Sequence, residues 1–171
     1  PFRRRESSSR AGMGWGAAAS SYVGMNLGAG HARRAHRSGL VASGYALLTT
    51  ALLVALYLGF SEPIIGFFDP SPGVLQAGDE YLHRIGWTYL FVGVAVVLSQ
   101  AMTGAGATFA SMVLDASILV LLVVPAAYVV VEVLHLPRTA LWWTIAVGNV
   151  VAAAAYVAFY GKGSFLRTKI Y

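Results

Sequence analysis

An aspartate set in an apolar run is the first residue in this sequence with evident chemical potential. Phe109 to Val131 is apolar apart from Asp115 and contains Pro125. Asp115 lies six residues past Phe109, so at about 1.5 Å rise per residue it sits roughly 9 Å into a helix. A carboxylate at such a depth can bind a proton, a metal cation or a cationic substrate. The plainer alternative is a carboxylate near the membrane interface, reached by water or capping a neighbouring helix. Other polar groups in apolar runs pose the same question: Asn149, Ser99 with Gln100, and Tyr45, Tyr89 and Tyr128. Asn149 suits an interhelical hydrogen bond worth about 1 kcal/mol. The tyrosines suit either a cavity wall or ordinary packing and belt positions. Pro125 removes a backbone hydrogen bond and predicts a kink, hence a hinge candidate. Gly148 and Ala152 form a small-xxx-small pair suited to close helix contact.

Soluble-enzyme chemistry finds no support. No GxxxxGK[ST] run is present to cradle nucleotide phosphates, and no GxSxG elbow or protease-like pair of carboxylates. His31, His36, His83 and His135 fall in predicted loops without metal-ligand spacing, and His31 and His36 read as extensions of a basic face. With no Cys there is no disulfide framework or thiolate site. No enzyme activity, metal site or organic cofactor is expected.

The elements that must position these residues follow from composition. Of 171 residues 57% are hydrophobic and only 11% charged, against roughly 25% charged in soluble domains. The charges are segregated, leaving uncharged stretches near the roughly 20 residues a spanning helix requires. The chain is therefore expected to be an all-α integral membrane protein, a bundle of four to five transmembrane helices. Spans are predicted at about 40–60, 87–102, 109–131 and 141–160, with a Gly/Ala/Ser-rich fifth candidate at 11–27. Between them, Asp69-Pro70-Ser71-Pro72-Gly73 predicts a turn, and Val74 to Ile85 a short interfacial helix leading into Trp87.

Formal charge of +5 lies beside the apolar segments, which makes it a topology signal and excludes nucleic acid as the expected partner. Arg33, Arg34, Arg37, Lys162, Arg167 and Lys169 flank one side, against Arg84 and Arg138 on the other. Loop 31–38 and the C-terminus are accordingly expected in the cytoplasm of a multi-pass plasma-membrane protein. Arg3, Arg4, Arg5 and Arg10 run against that pattern if 11–27 spans, so residues 1–10 are read as a non-native or disordered start.

Several stretches together resemble one family, the multidrug and toxic compound extrusion (MATE) transporters. Ala17 to Leu27 followed by Gly28-Ala29-Gly30 looks like the family's small-residue helix end and GxNxGAG turn. Phe67-Phe68-Asp69-Pro70 and the following Val74 to Ile85 are similar to the outer loop before the tenth helix. Gln100 to Thr108 looks like the GALRGAGDT turn, and Pro125-Ala126-Ala127-Tyr128 like the IPLAY stretch. The resemblance covers roughly Ala11 to the C-terminus. Thr103 and Ala107 stand where the family usually has Arg and Asp, so that ion pair is absent, and the tenth helix carries no acid.

The resemblance implies most of the carboxy-terminal lobe of a two-lobe, twelve-helix antiporter whose amino-terminal lobe is missing from this sequence. It implies export of small organic cations or amphipathic compounds in exchange for Na⁺ or H⁺ by alternating access, with Gln100, Asp115, Tyr128 and Asn149 on the pathway. A flippase-like lipid or oligosaccharide exporter and a non-transporting half-size membrane partner are the competing expectations.

Overall fold

Pro72 to Gly104 runs as one apolar helix of 33 residues, and Ala32–Gly59, Thr108–Val133 and Ala140–Lys162 add three of 28, 26 and 23 residues. At about 1.5 Å per residue each is longer than the roughly 30 Å hydrocarbon core of a bilayer. These helices come from a computed structural model that describes residues 14–163 and 165. Residues 1–10 and the tail bearing Arg167 and Lys169 lie outside the described residues.

In chain order the elements are α1 (Gly14–Gly28), α2 (Ala32–Gly59), α3 (Ser61–Phe68), α4 (Pro72–Ile85), α5 (Tyr89–Gly104), α6 (Thr108–Val133) and α7 (Arg138–Lys162). The described residues contain no strand. A single 3₁₀ turn, Gly86–Thr88, joins α4 to α5, so the expected interfacial helix is continuous with the span it precedes. The described part of α1 has 15 residues, about 22 Å of helix, which alone does not reach across a bilayer. The helix of α2 starts at Ala32, well before the uncharged run at Leu40. Arg33, Arg34 and Arg37 are exposed on its first turns, where long cationic side chains keep their heads in water.

Two glycines turn the chain. Gly30 (φ 79°) ends α1, with the His31 N–H donating to Asn26 O at 2.8 Å. Gly106 (φ 81°) lies between α5 and α6, with the Ala107 N–H donating to Met102 O at 3.0 Å. Both need the left-handed conformation that glycine adopts without a Cβ penalty.

Helix α5 is central, touching α1, α2 and α7. The buried positions are mostly small: Ala19, Ala35, Ala42, Ala46, Ala95, Ala101, Ala105 and Ala153. Small residues let backbones approach, the main source of attraction between helices in lipid. The tightest backbone-to-backbone approach joins α1 to α5, where a Cβ on Gly104 would overlap the Ser20 backbone. Gly104→Val should therefore push α1 off α5 and destabilise the bundle by about 1–3 kcal/mol, the usual cost of overpacking. Thermal unfolding in detergent checks this, and an unchanged midpoint would contradict the packing. Gly148, one half of the predicted small-residue pair, faces α6, its Cβ position lying 2.8 Å from Val123 Cγ2.

Pro125 stands in a short α-helical piece, Val124–Tyr128, between π-helical turns at Ile118–Val123 and Val129–Val133. Widened turns are one way a membrane helix accommodates a proline that cannot donate a hydrogen bond. The widening around Pro125 is thus spread over both sides of the proline. Along α6 only Ser111 is buried, while Phe109 is 74% and Leu121 75% exposed. A soluble protein does not leave so large an apolar face in water; this one belongs against lipid or other helices.

The two ends of the bundle differ in charge. At one, His36 stacks on Tyr160 with ring centroids 5.0 Å apart, and its Nε2–H donates to Tyr160 O at 2.9 Å. The basic start of α2 and the end of α7 are thereby held on the same side. At the other, Arg84 lies 5.6 Å over the Trp142 ring and pairs with Glu80 at 3.9 Å. Asp69 is in the loop near this end, where the Ser71 backbone N–H at 2.8 Å holds its carboxyl below the usual carboxylate range.

Candidate functional site

Thr108, Ser111 and Asp115 recur at helical spacing, which puts them on one face of α6, and Ser99 and Thr103 do the same one turn apart on α5. The turn at Gly106 folds these two faces together. They line a groove of about 410 Å³ with Met112, Ala116 and Leu119. Tyr156 of α7, 1% exposed, lies behind two of these residues, Ser111 and Asp115, and is bonded to both.

The polar atoms form a chain. Tyr156 OH donates to Asp115 Oδ1 at 2.6 Å and lies 3.2 Å from both Ser111 Oγ and Ser111 O. Ser111 Oγ is 2.7 Å from Ser99 Oγ. Thr103 Oγ1 turns back to Ser99 O at 3.0 Å. Asp115 itself is exposed, and its hydrogen bond from Tyr156 is the one it makes among the described residues. Its second oxygen thus faces the groove. One carboxylate oxygen fixed by a buried phenol and one presented outward can take up a proton, a monovalent ion or an organic ammonium. Among the described residues no group of three His, Cys, Asp or Glu is placed to hold a metal.

The other sequence-selected residues lie elsewhere. Gln100 is exposed on the α1 side of α5, its Cγ 3.0 Å from the Cβ position of Gly16, while its neighbour Ser99 reaches the groove. Tyr128 is 63% exposed on α6, on the order of 20 Å along the helix from Asp115. Asn149 Nδ2 donates to Thr88 Oγ1 at 3.0 Å, and the fully buried Thr88 passes its own proton to Ile85 O at 2.7 Å. That is the interhelical bond suited to its position, linking α7 to the α4–α5 junction. Asn149→Ala should cost about 0.6–1.7 kcal/mol, from the average to the largest value measured for such bonds in membranes. Denaturant titration in mixed micelles checks this, and a larger loss would give Asn149 a role beyond the bond. Sequence reasoning did not select Ser111, Thr103, Thr108 or Tyr156; the 108/111/115 spacing was the available signal for three groove positions.

Comparison with known proteins decides the family. The model of the MatE family matches residues 8–129. This chain belongs to the MatE family. One curated relative, a FAD transporter of Shewanella oneidensis, is 27% identical over 106 residues, 62% of this chain and 24% of its own length. The chain thus spans about a quarter of the curated relative it matches. No solved structure gives a significant match. The MatE match contains α1 to α5 and most of α6, including the Gly30 and Gly106 turns and Asp115, while Tyr156 lies beyond it. Membership in a family of membrane transporters fits four helices long and apolar enough to span a bilayer, and points away from catalysis.

Proposed function

We propose that this chain is a carboxy-terminal portion of a secondary efflux transporter, moving cationic or amphipathic organic compounds outward in exchange for Na⁺ or H⁺. The observation that carries the reading is the Asp115 carboxylate, held by Tyr156 and open to a groove on a membrane-spanning helix. Ion and substrate compete for that carboxylate, so binding of one releases the other. Transport follows from rocking of this lobe against an amino-terminal lobe across the exposed face of α6, with the widened turns around Pro125 absorbing the change. The basic end of α2 and the end of α7 face the cytoplasm by the positive-inside rule, and the plasma membrane is the site of export.

The test is accumulation of ethidium in cells expressing the complete transporter. Lower accumulation than in empty-vector cells, restored by an ionophore that collapses the ion gradient, supports the reading. Equal accumulation in both removes it.

A second reading is favoured by the relative named as a FAD transporter. Under it the cargo is a flavin dinucleotide, and flavin released to the medium would rise with expression while ethidium accumulation stayed constant.

A further inference from the structure

We propose that the groove between α1 and the start of α2 binds a phosphate group carried on an apolar or aromatic body. Its walls are Arg34, Arg37, Asn26 and Ser38 on the polar side, and Tyr22, Met25 and Val41 on the apolar side, around a volume of about 590 Å³. Arg34 and Arg37 also line an adjoining space of about 560 Å³ with Arg33 and His36. Spaced three apart, they present two guanidinium forks on one helix face. Among the described residues the acid-containing ion pairs are His83–Asp79 and Arg84–Glu80, both at the opposite end, so these arginines face the groove without a carboxylate partner. Two planar forks match the oxygens of a phosphate, which both can grip at once.

The rest of the groove says what the phosphate is attached to. Tyr22 is 58%, Met25 61% and Val41 49% exposed, and Tyr22 stacks on no other ring among the described residues. An acyl chain fits against Met25 and Val41, and an aromatic ring against Tyr22. The source of the phosphate is therefore either an anionic phospholipid head or a soluble phosphate ester bearing a ring. Basic pockets between helices at a membrane surface hold such groups. The inference is independent of the Asp115 reading, since it concerns a different groove and its test needs no transport.

The test uses the full chain in phosphatidylcholine nanodiscs, with phosphatidylglycerol as one probe and FAD as the other. Arg34→Gln combined with Arg37→Gln should weaken binding of at least one probe by about 30-fold, the combined effect of two arginines near an anionic group. Arg84→Gln, at the other end, should leave it unchanged. Loss confined to phosphatidylglycerol assigns a lipid site, and loss confined to FAD a soluble ligand. On the unmutated chain, inorganic phosphate should displace the probe more strongly than chloride of equal ionic strength, a readout that does not depend on any variant folding. Equal binding by the glutamine variant, no binding of either probe, or phosphate no better than chloride would each overturn the site.

Discussion

Asp115→Asn is expected to cut transport by roughly tenfold to a hundredfold, the loss of one charge-assisted contact of about 1.5–3 kcal/mol. The substitution is close to isosteric and keeps an oxygen to accept the 2.6 Å hydrogen bond from Tyr156, so α6 and α7 stay joined. What changes is charge. An amide does not take up a proton and carries no charge to hold an ammonium or sodium ion, so the exchange is weakened. The measurement is the initial rate of ethidium efflux from cells expressing the complete transporter, normalised to the amount of protein in the membrane. An unchanged normalised rate would reduce Asp115 to a structural acceptor for Tyr156.

Tyr156 carries the second large effect, because it acts twice. Its ring is 1% exposed in the core of α5 and α7, and its hydroxyl reaches Asp115 and Ser111 together. Tyr156→Ala should destabilise the bundle by about 3–5 kcal/mol, as large aromatic-to-alanine changes in cores do. Tyr156→Phe keeps the ring and loses the bond to the carboxylate, which should cost about 1.5–3 kcal/mol. The pair separates packing from positioning. Unfolding in detergent should order them Ala, Phe, wild type from least to most stable. If Phe were as stable as wild type and transported as fast, the hydroxyl would have no part in holding Asp115.

The spans were legible because lipid demands long uncharged runs: the apolar stretches at 87–102, 109–131 and 141–160, and all of 40–60 but Phe60, lie in helices long and apolar enough to span. Their ends were less legible. Helix α2 continues through Arg33, Arg34 and Arg37, since a helix does not stop where its side chains become charged. The groove was legible only in part. Neighbouring residues on a helix point about 100° apart, and that rotation is what separates Ser99, in the groove, from Gln100, against Gly16. In uniformly apolar runs no hydrophobic stripe sets that rotation, so Asp115 was visible as an isolated charge while its direction was not. Its partner lies 41 residues on and looks in sequence like any aromatic residue near the end of a span. Asn149 suited an interhelical bond from its sequence position, but Thr88 as its partner depended on the α4–α5 junction, which only the packed bundle brings beside α7.

In the proposed exchange, a gradient of one ion drives an organic compound the other way through a protein that contains this lobe. Its most direct test is the complete transporter reconstituted in liposomes, with an imposed Na⁺ or H⁺ gradient and ethidium movement followed by fluorescence. Ethidium is expected to move only against an inward-directed flow of one of these ions, and to stop when an ionophore dissipates the gradient. Ethidium movement that ignores both gradients, or none under either, would contradict it.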